Sequence, residues 1–338
     1  MDFIHFTAGK DDDGRRLDRI LRRFLDEESL SSIYKSLRKG LVKVDGRKRD
    51  GDFRVSEGSD IQIAAILPVK TDGRKSADDE PPFFPEGSVI FRNESVLILN
   101  KGYDIPSQPS PSSKGNSLAD IVRAEFERKG MSQSLSFRTG PLHRLDRKTT
   151  GLIAFSQSLG GARYFSQAMR HHLIEKTYLA LLEGNLTESR VWEDKIAKKE
   201  DDAGTGNGGF RKVSVTSANE EEGRTALTKI IPLSHGIFPH DGKETQVTLA
   251  RILIRTGRTH QIRGQSAYHG FPLLGDSAYG GAEIDTNYCG QNLFLHAWRL
   301  RFPAENPLSL PETLTAPPPH AFKKMIDMCG MRDIIFTK

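Results

Sequence analysis

A chain of 338 residues is long enough for two ordinary domains and for a hydrophobic core without covalent staples. Forty-nine Lys and Arg against 44 Asp and Glu leave a net charge of +5, which favours polyanionic partners. Two cysteines, Cys289 and Cys329, exclude a disulfide framework, and a mean hydropathy of −0.49 with no run of 18 apolar residues excludes a membrane helix. Residues 1–13 have the form of neither a signal peptide nor a targeting helix, so we expect a cytoplasmic protein with no membrane contact.

In chain order, the first feature is a concentration of charge. Residues 15–49 hold twelve basic side chains against five acids, a net +7 that exceeds the charge of the whole chain. Leu17, Ile20, Leu21 and Phe24 fall at i, i+3, i+4 and i+7, which predicts an amphipathic helix with its arginines on the other faces. A second short helix follows, capped by Ser29 or Ser31, with Ile33 and Leu37 facing the first helix and Gly40 ending it. Residues 41–44 read as a strand, Asp45-Gly46 as a tight turn and 58–63 as a closing strand. Charge runs alone usually make a solvated surface; the hairpin and spacing here favour RNA binding. The text from Arg16-Leu17-Asp18-Arg19 through Lys39-Gly40-Leu41-Val42-Lys43-Val44-Asp45-Gly46 to Gly58-Ser59-Asp60 resembles the alpha-L RNA-binding module named after ribosomal small-subunit protein four. With the charge count, this makes Arg15, Arg16, Arg19, Arg22, Arg23, Lys35, Arg38 and Lys39 the candidate RNA-binding residues.

Residues 70–82 carry almost no apolar side chains and end in paired prolines, so they predict a linker. The expected division is an RNA-binding domain at 1–69, a linker at 70–85 and a catalytic domain at 86–338. Within the last, strands are predicted at 96–99, 151–155, 178–182, 226–231 and 246–254, and helices at 118–127 and 162–171. Strands in runs with irregular connections argue for an α+β fold with a largely antiparallel or mixed sheet. Residues 198–224 include six residues rich in glycine, 204–209. No strand leads into them and no Gly-Lys-Ser/Thr follows, so they read as a surface excursion rather than a phosphate loop.

The chemistry concentrates at His143-Arg144-Leu145-Asp146-Arg147-Lys148-Thr149-Thr150-Gly151. Nearby cations favour an ionised Asp146, which suits a nucleophile at neutral pH. Taken alone, the block reads rather as a salt-bridged loop carboxylate. Pro141-Leu142-His143-Arg144-Leu145-Asp146, however, resembles the active-site signature of the RluA-type pseudouridine synthases. Two more stretches are similar to that family in order: Glu175-Lys176-Thr177-Tyr178-Leu179-Ala180, and Thr256-Gly257-Arg258-Thr259-His260-Gln261-Ile262-Arg263. Gly270-Phe271-Pro272-Leu273-Leu274-Gly275-Asp276 with Tyr279-Gly280, then Leu295-His296-Ala297 and Leu314-Thr315-Ala316-Pro317-Pro318, extend the resemblance over residues 86–330.

The resemblance implies that Asp146 is the catalytic aspartate, that Tyr178 stacks on the target uracil and that Arg263 partners the aspartate. Arg144 would contact the gap left by an extruded base, and His143, Leu145, His260 and Ile262 would help bind substrate. It implies a monomer acting on structured RNA, ribosomal RNA of the large subunit before transfer RNA. No cofactor is needed. Adjacent His171 and His172 point to different faces of a helix, and no carboxylate or thiol stands at ligand spacing, so no metal is expected. The rival readings are a non-catalytic RNA-binding or ribosome-assembly protein on the same fold, and a hydrolase using Asp146, for which no motif places a second carboxylate. Four positions depart from the family pattern: Gly102 stands where proline is usual, Asp104 where glycine is, and Gly264-Gln265 where a hydrophobic residue and histidine are. They bear on RNA specificity, since Asp146, Tyr178 and Arg263 are in place.

Overall fold

The structure, a computed structural model, describes residues 1–25, 28–69, 84–85, 87–109, 117–129, 134–198, 212–240 and 242–331. It opens with β1 (Phe3–Thr7), β2 (Arg15–Arg16), α1 (Leu17–Phe24), α2 (Leu30–Arg38), β3 (Val42–Val44), β4 (Arg47–Lys48), β5 (Arg54–Val55) and β6 (Asp60–Ala64). The stripe on α1 does what its spacing dictates: Leu17, Ile20 and Leu21 are fully buried and share a core with Ile33, Leu37, Val42 and Val44. Each such burial stabilises by about 1.5–3 kcal/mol relative to exposure. Ser29 caps α2, its hydroxyl accepting the Ser32 N–H at 3.2 Å. β1 was not expected; it pairs with β6 and completes a four-stranded sheet ordered β1-β6-β3-β4.

Two candidate RNA-binding arginines already have acceptors within the chain. Arg16 donates to both oxygens of Asp18, at 3.1 and 2.8 Å, and to Tyr34. Arg23 donates to the carbonyls of Ser134 and Phe137, at 3.3 and 2.7 Å. Each guanidinium has found a fork of acceptors inside the chain. Arg15 is half-buried, whereas Arg19, Arg22, Lys35, Arg38 and Lys39 are exposed. The segment Arg23 grips is also held by Asp12. This buried carboxylate accepts the Leu135 N–H at 2.7 Å, the Ser136 N–H at 3.0 Å and the Ser134 hydroxyl at 2.9 Å. Leu135 packs against the N-terminal core. The N-terminal unit is therefore fastened to the stretch that runs on toward Asp146. Most of the expected linker, and the glycines at 204–209, lie outside the described residues.

The rest of the chain contributes β7 (Val89–Arg92), β8 (Val96–Lys101), α3 (Leu118–Arg128), β9 (Thr150–Ser156), α4 (Leu159–Arg170), β10 (Glu175–Glu183), β11 (Arg190–Lys198), β12 (Val213–Ser217), β13 (Arg224–His240), β14 (Lys243–Ile254), α5 (Gln261–Tyr268), β15 (Leu295–Arg301), β16 (Thr313–Thr315) and α6 (His320–Met328). They build a ten-stranded sheet ordered β12-β11-β13-β14-β10-β15-β9-β8-β7, with β16 on β15. Neighbours run antiparallel except β9 and β15, which are parallel. This is the mixed, largely antiparallel α+β arrangement expected. One correction concerns 198–224. β12 forms the sheet edge there, because Val213 packs with Ile196 and Ala226, with Val215 alongside.

β10 is buried on both faces. Tyr178, Ala180 and Leu182 join one core, while Leu179 and Leu181 join another with Phe238, Phe294 and Phe322. The parallel contact between β9 and β15 depends on Gly151, whose φ is +105°. A Cβ there would stand 2.3 Å from the Ala297 carbonyl oxygen, so only glycine lets the strand after Asp146 enter the sheet.

His296 on β15 supplies a pH test of this region. It is fully buried, with Nε2 3.0 Å from the Ala316 carbonyl and Nδ1 2.9 Å from the Thr150 hydroxyl. The carbonyl can only accept, so Nε2 carries the proton and Thr150 donates to Nδ1. Burial pushes the imidazole down to about 4. As pH falls through about 6.5 the unfolded chain takes up this proton first, so stability is intact above that value and drops by about 3 kcal/mol by pH 4. His296→Gln keeps a donor and an acceptor but cannot titrate. Urea unfolding at pH 7.5 and pH 4 is expected to show wild type losing about 3 kcal/mol more than the variant over that interval.

Candidate active site

Asp146 stands in a tight turn, where Thr149 N–H donates to its carbonyl. The turn is braced from behind by the loop after β8. The Ser107 hydroxyl donates to the Leu145 carbonyl at 2.7 Å. Lys101, 2% exposed, donates to the carbonyls of Gly102, Ile105 and Arg147 at 3.0, 2.9 and 2.8 Å. Burial pushes its ammonium down to about 7, against the fields of Asp146 and Asp104, which raise it. Asp104 explains one sequence departure. Its φ is +61°, a left-handed conformation that suits glycine and that Asp tolerates, and its carboxylate pairs with Arg147 at 2.8 Å.

The side chain of Asp146 opens onto a pocket lined by Arg144, Leu145, Tyr178, His260, Ile262 and Arg263, with residues 257–259 also on its wall. Six of the candidate residues are thus brought together with it or form its wall. Tyr178 comes from β10, where the pairing register with β15 shifts between Thr177 and Tyr178 so that Trp298 on β15 is passed over. Burial, and secondarily the Asp146 charge, push its phenol well above the ordinary range, so it is neutral. Ile262 and Arg263 come from α5. Gln261 secures the start of that helix: its Oε1 accepts from the Thr256 hydroxyl and the Arg258 N–H, and its Nε2 donates to Thr228. His260, at φ +49°, caps the turn.

His143 is the expectation that is corrected. Arg263 faces Asp146, as the resemblance implies, though not with its fork. Its Nε and Nη2 each donate to Asp276 at 2.7 Å, and only Nη1 faces Asp146, at 3.8 Å. Burial opposes this charge, but the Asp276 bonds and the fields of Asp276 and Asp146 outweigh it and hold the guanidinium above its usual value. His143 is turned away from the pocket: its Nε2 accepts the Ala154 N–H at 3.1 Å and its ring stacks on Phe165, 6.2 Å between centroids. Burial pushes it down to about 3, so it serves β9 as a neutral acceptor.

His260 Nε2 lies 3.8 Å from Asp146, matching the Arg263 distance. The carboxylate, 16% exposed, thus has a guanidinium and an imidazole on its flanks and an aromatic ring across the pocket. Sequence reasoning gave no role to Asp276, Tyr279 or Lys101. Asp276 and Tyr279 sit in a quoted motif, and the usable signal for Asp276 was that an arginine on a buried helix requires an acid.

The sequence matches a family described as RNA pseudouridylate synthase over residues 95–268. The ribosomal large subunit pseudouridine synthase C of Haemophilus influenzae is 28% identical over 301 residues, which cover 88% of this chain and 86% of that protein. The Escherichia coli protein of the same name is 27% identical over 303 residues, 86% of each chain. Among solved structures, human RNA pseudouridylate synthase domain containing 4 superposes with a TM-score of 0.53 at 19% identity, over 72% of this chain and 93% of that one, a likeness of fold.

Proposed function

The chain belongs to the RNA pseudouridylate synthase family, and from that premise we propose that it isomerises uridines in large-subunit ribosomal RNA, with Asp146 as the attacking group. The single observation that carries this is the ionisable carboxylate set in a pocket between Arg263, His260 and the ring of Tyr178. Isomerisation breaks the bond between ribose C1′ and uracil N1, forms a bond between C1′ and C5, and moves a proton from C5 to N1. Asp146 holds one fragment while the base turns. The balance needs no cofactor. A uridine inside folded RNA must be flipped out to reach the pocket, and Tyr178 replaces the stacking it loses. Arg144, exposed at the mouth, fills the space the base vacates. Arg19, Arg22, Lys35, Arg38 and Lys39 supply phosphate contacts on the N-terminal unit. Ribosomal RNA is favoured by the names of the relatives matched over most of their length. The enzyme works as a cytoplasmic monomer; among the described residues no helix is long and apolar enough to cross a membrane.

The test is to incubate the purified protein with transcripts of large-subunit ribosomal RNA and of transfer RNA and to map pseudouridine in each. Product in the former supports the reading; product confined to transfer RNA overturns the substrate, and product in neither overturns the activity. Tyr178 adds a second measurement. Tyr178→Phe keeps the stacking face and is expected to bind target RNA within about threefold of wild type, whereas Tyr178→Ala loses about 1–3 kcal/mol of binding. Equal losses would assign the role to the hydroxyl.

A further inference from the structure

Strand β12 lies across α5, and the departure at Gly264 is what admits it. A Cβ on Gly264 would stand 2.9 Å from Val215 Cγ2 and 3.2 Å from Val213 Cγ2. Gln265, the second departure, donates to Asp194 on β11 at 2.6 Å, so α5 is tied to both strands of the edge. Seated this way, Val213 donates its backbone N–H to Tyr279 Oη at 2.9 Å. The same oxygen is 2.9 Å from His260 Nδ1, and His260 Nε2 is 3.8 Å from the Asp146 carboxylate. Strand edge, phenol, imidazole and carboxylate form one line.

Counting protons gives the line a direction. The carboxylate only accepts, so Nε2 must carry the proton for the imidazole to face it favourably. Burial lowers the affinity of His260 for a second proton, which leaves Nδ1 as an acceptor. The Tyr279 hydroxyl then donates to Nδ1 while its oxygen accepts from Val213. Resting on the reading of Asp146 as the attacking group, we propose that Tyr279 is a positioning residue, held by the edge strand β12, that fixes His260 as the Nε2–H tautomer aimed at Asp146. The imidazole N–H, 3.8 Å away, steadies the carboxylate by its field before attack and meets its returning charge when the product is released. A hydroxyl on the far nitrogen sets the tautomer of a histidine, as a carboxylate does elsewhere.

The experiment is long-range 1H–15N correlation of the imidazoles in RNA-free, 15N-labelled protein, with the His260 signals assigned by their loss in His260→Gln. Wild type is expected to show protonated Nε2 and bare Nδ1. Tyr279→Phe is expected to show a mixture of tautomers, with kcat lowered about ten- to a hundredfold and KM moved by less than about threefold. Gly264→Val, which pushes β12 outward, is expected to reproduce both changes, and Gly264→Val/Val215→Ala to restore the single tautomer and most of kcat. A wild-type His260 protonated on Nδ1 overturns the proposal, as does a Tyr279→Phe protein with tautomer and kcat unchanged. The tautomer is read without RNA, so a protein that modified no uridine would sink the functional reading while this result was still decided by the spectrum.

Discussion

Asp146→Asn is expected to form no pseudouridine while binding target RNA within about threefold of wild type. An amide of the same shape retains the pocket but has neither the charge nor the lone-pair reactivity to hold a fragment of the nucleotide, so the loss should reach at least about four orders of magnitude. Binding should hold because the proposed phosphate contacts lie elsewhere, and removing a negative charge beside RNA favours binding slightly. Folding should hold as well. Arg263 is anchored by Asp276 and meets Asp146 only at 3.8 Å, so the substitution strands no buried charge. Single-turnover assays with enzyme in excess, alongside filter binding, separate the two quantities. Turnover by the purified Asn protein would remove Asp146 from its role as the attacking group.

How much of this was legible in the sequence depends on how local each feature is. The stripe Leu17, Ile20, Leu21 and the cap at Ser29 could be read because helix periodicity and capping are settled within one or two turns. The strand carrying Tyr178 could be read for the same reason, as could the helix at 118–127, which opens on a capping box between Ser117 and Asp120. β1 was missed because Phe3–Thr7 becomes a strand only through its partner β6, some sixty residues away. Partner choice was equally hidden. The motif brought Arg263 to the pocket, but whether its fork takes Asp146 or Asp276 depends on where the loop after Gly270 returns. His143 shows the limit of carrying a role along a contiguous motif. It sits three residues before Asp146, yet the extended chain between them turns its ring to Phe165 and Ala154 on the far side of the turn. Arg16 and Arg23 show the same for charge: composition counts cations but not which of them already have acceptors within the fold.

The pairing of Arg263 with Asp276 predicts a large loss of stability when one partner is removed. Both side chains are almost fully buried, at 6% and 2% exposure, and the bond is bidentate with 2.7 Å arms. Removing one partner of such a pair leaves the other charged and desolvated, which costs about 3–5 kcal/mol, a large part of the 5–15 kcal/mol that holds a typical domain folded. Asp276→Asn should therefore lower the urea midpoint strongly. It should also lower turnover, because a guanidinium that has lost Asp276 leans on Asp146, the proposed attacking group, without regaining the bidentate bond. Arg263→Met/Asp276→Leu separates the two effects. With both charges gone the pair can be replaced by apolar packing, so the double variant should regain most of the stability lost by Asp276→Asn. Its turnover should stay low, since Nη1 no longer faces Asp146. Urea unfolding and single-turnover rates on the three proteins check this together. A double variant as active as wild type would show that Arg263 serves the fold alone.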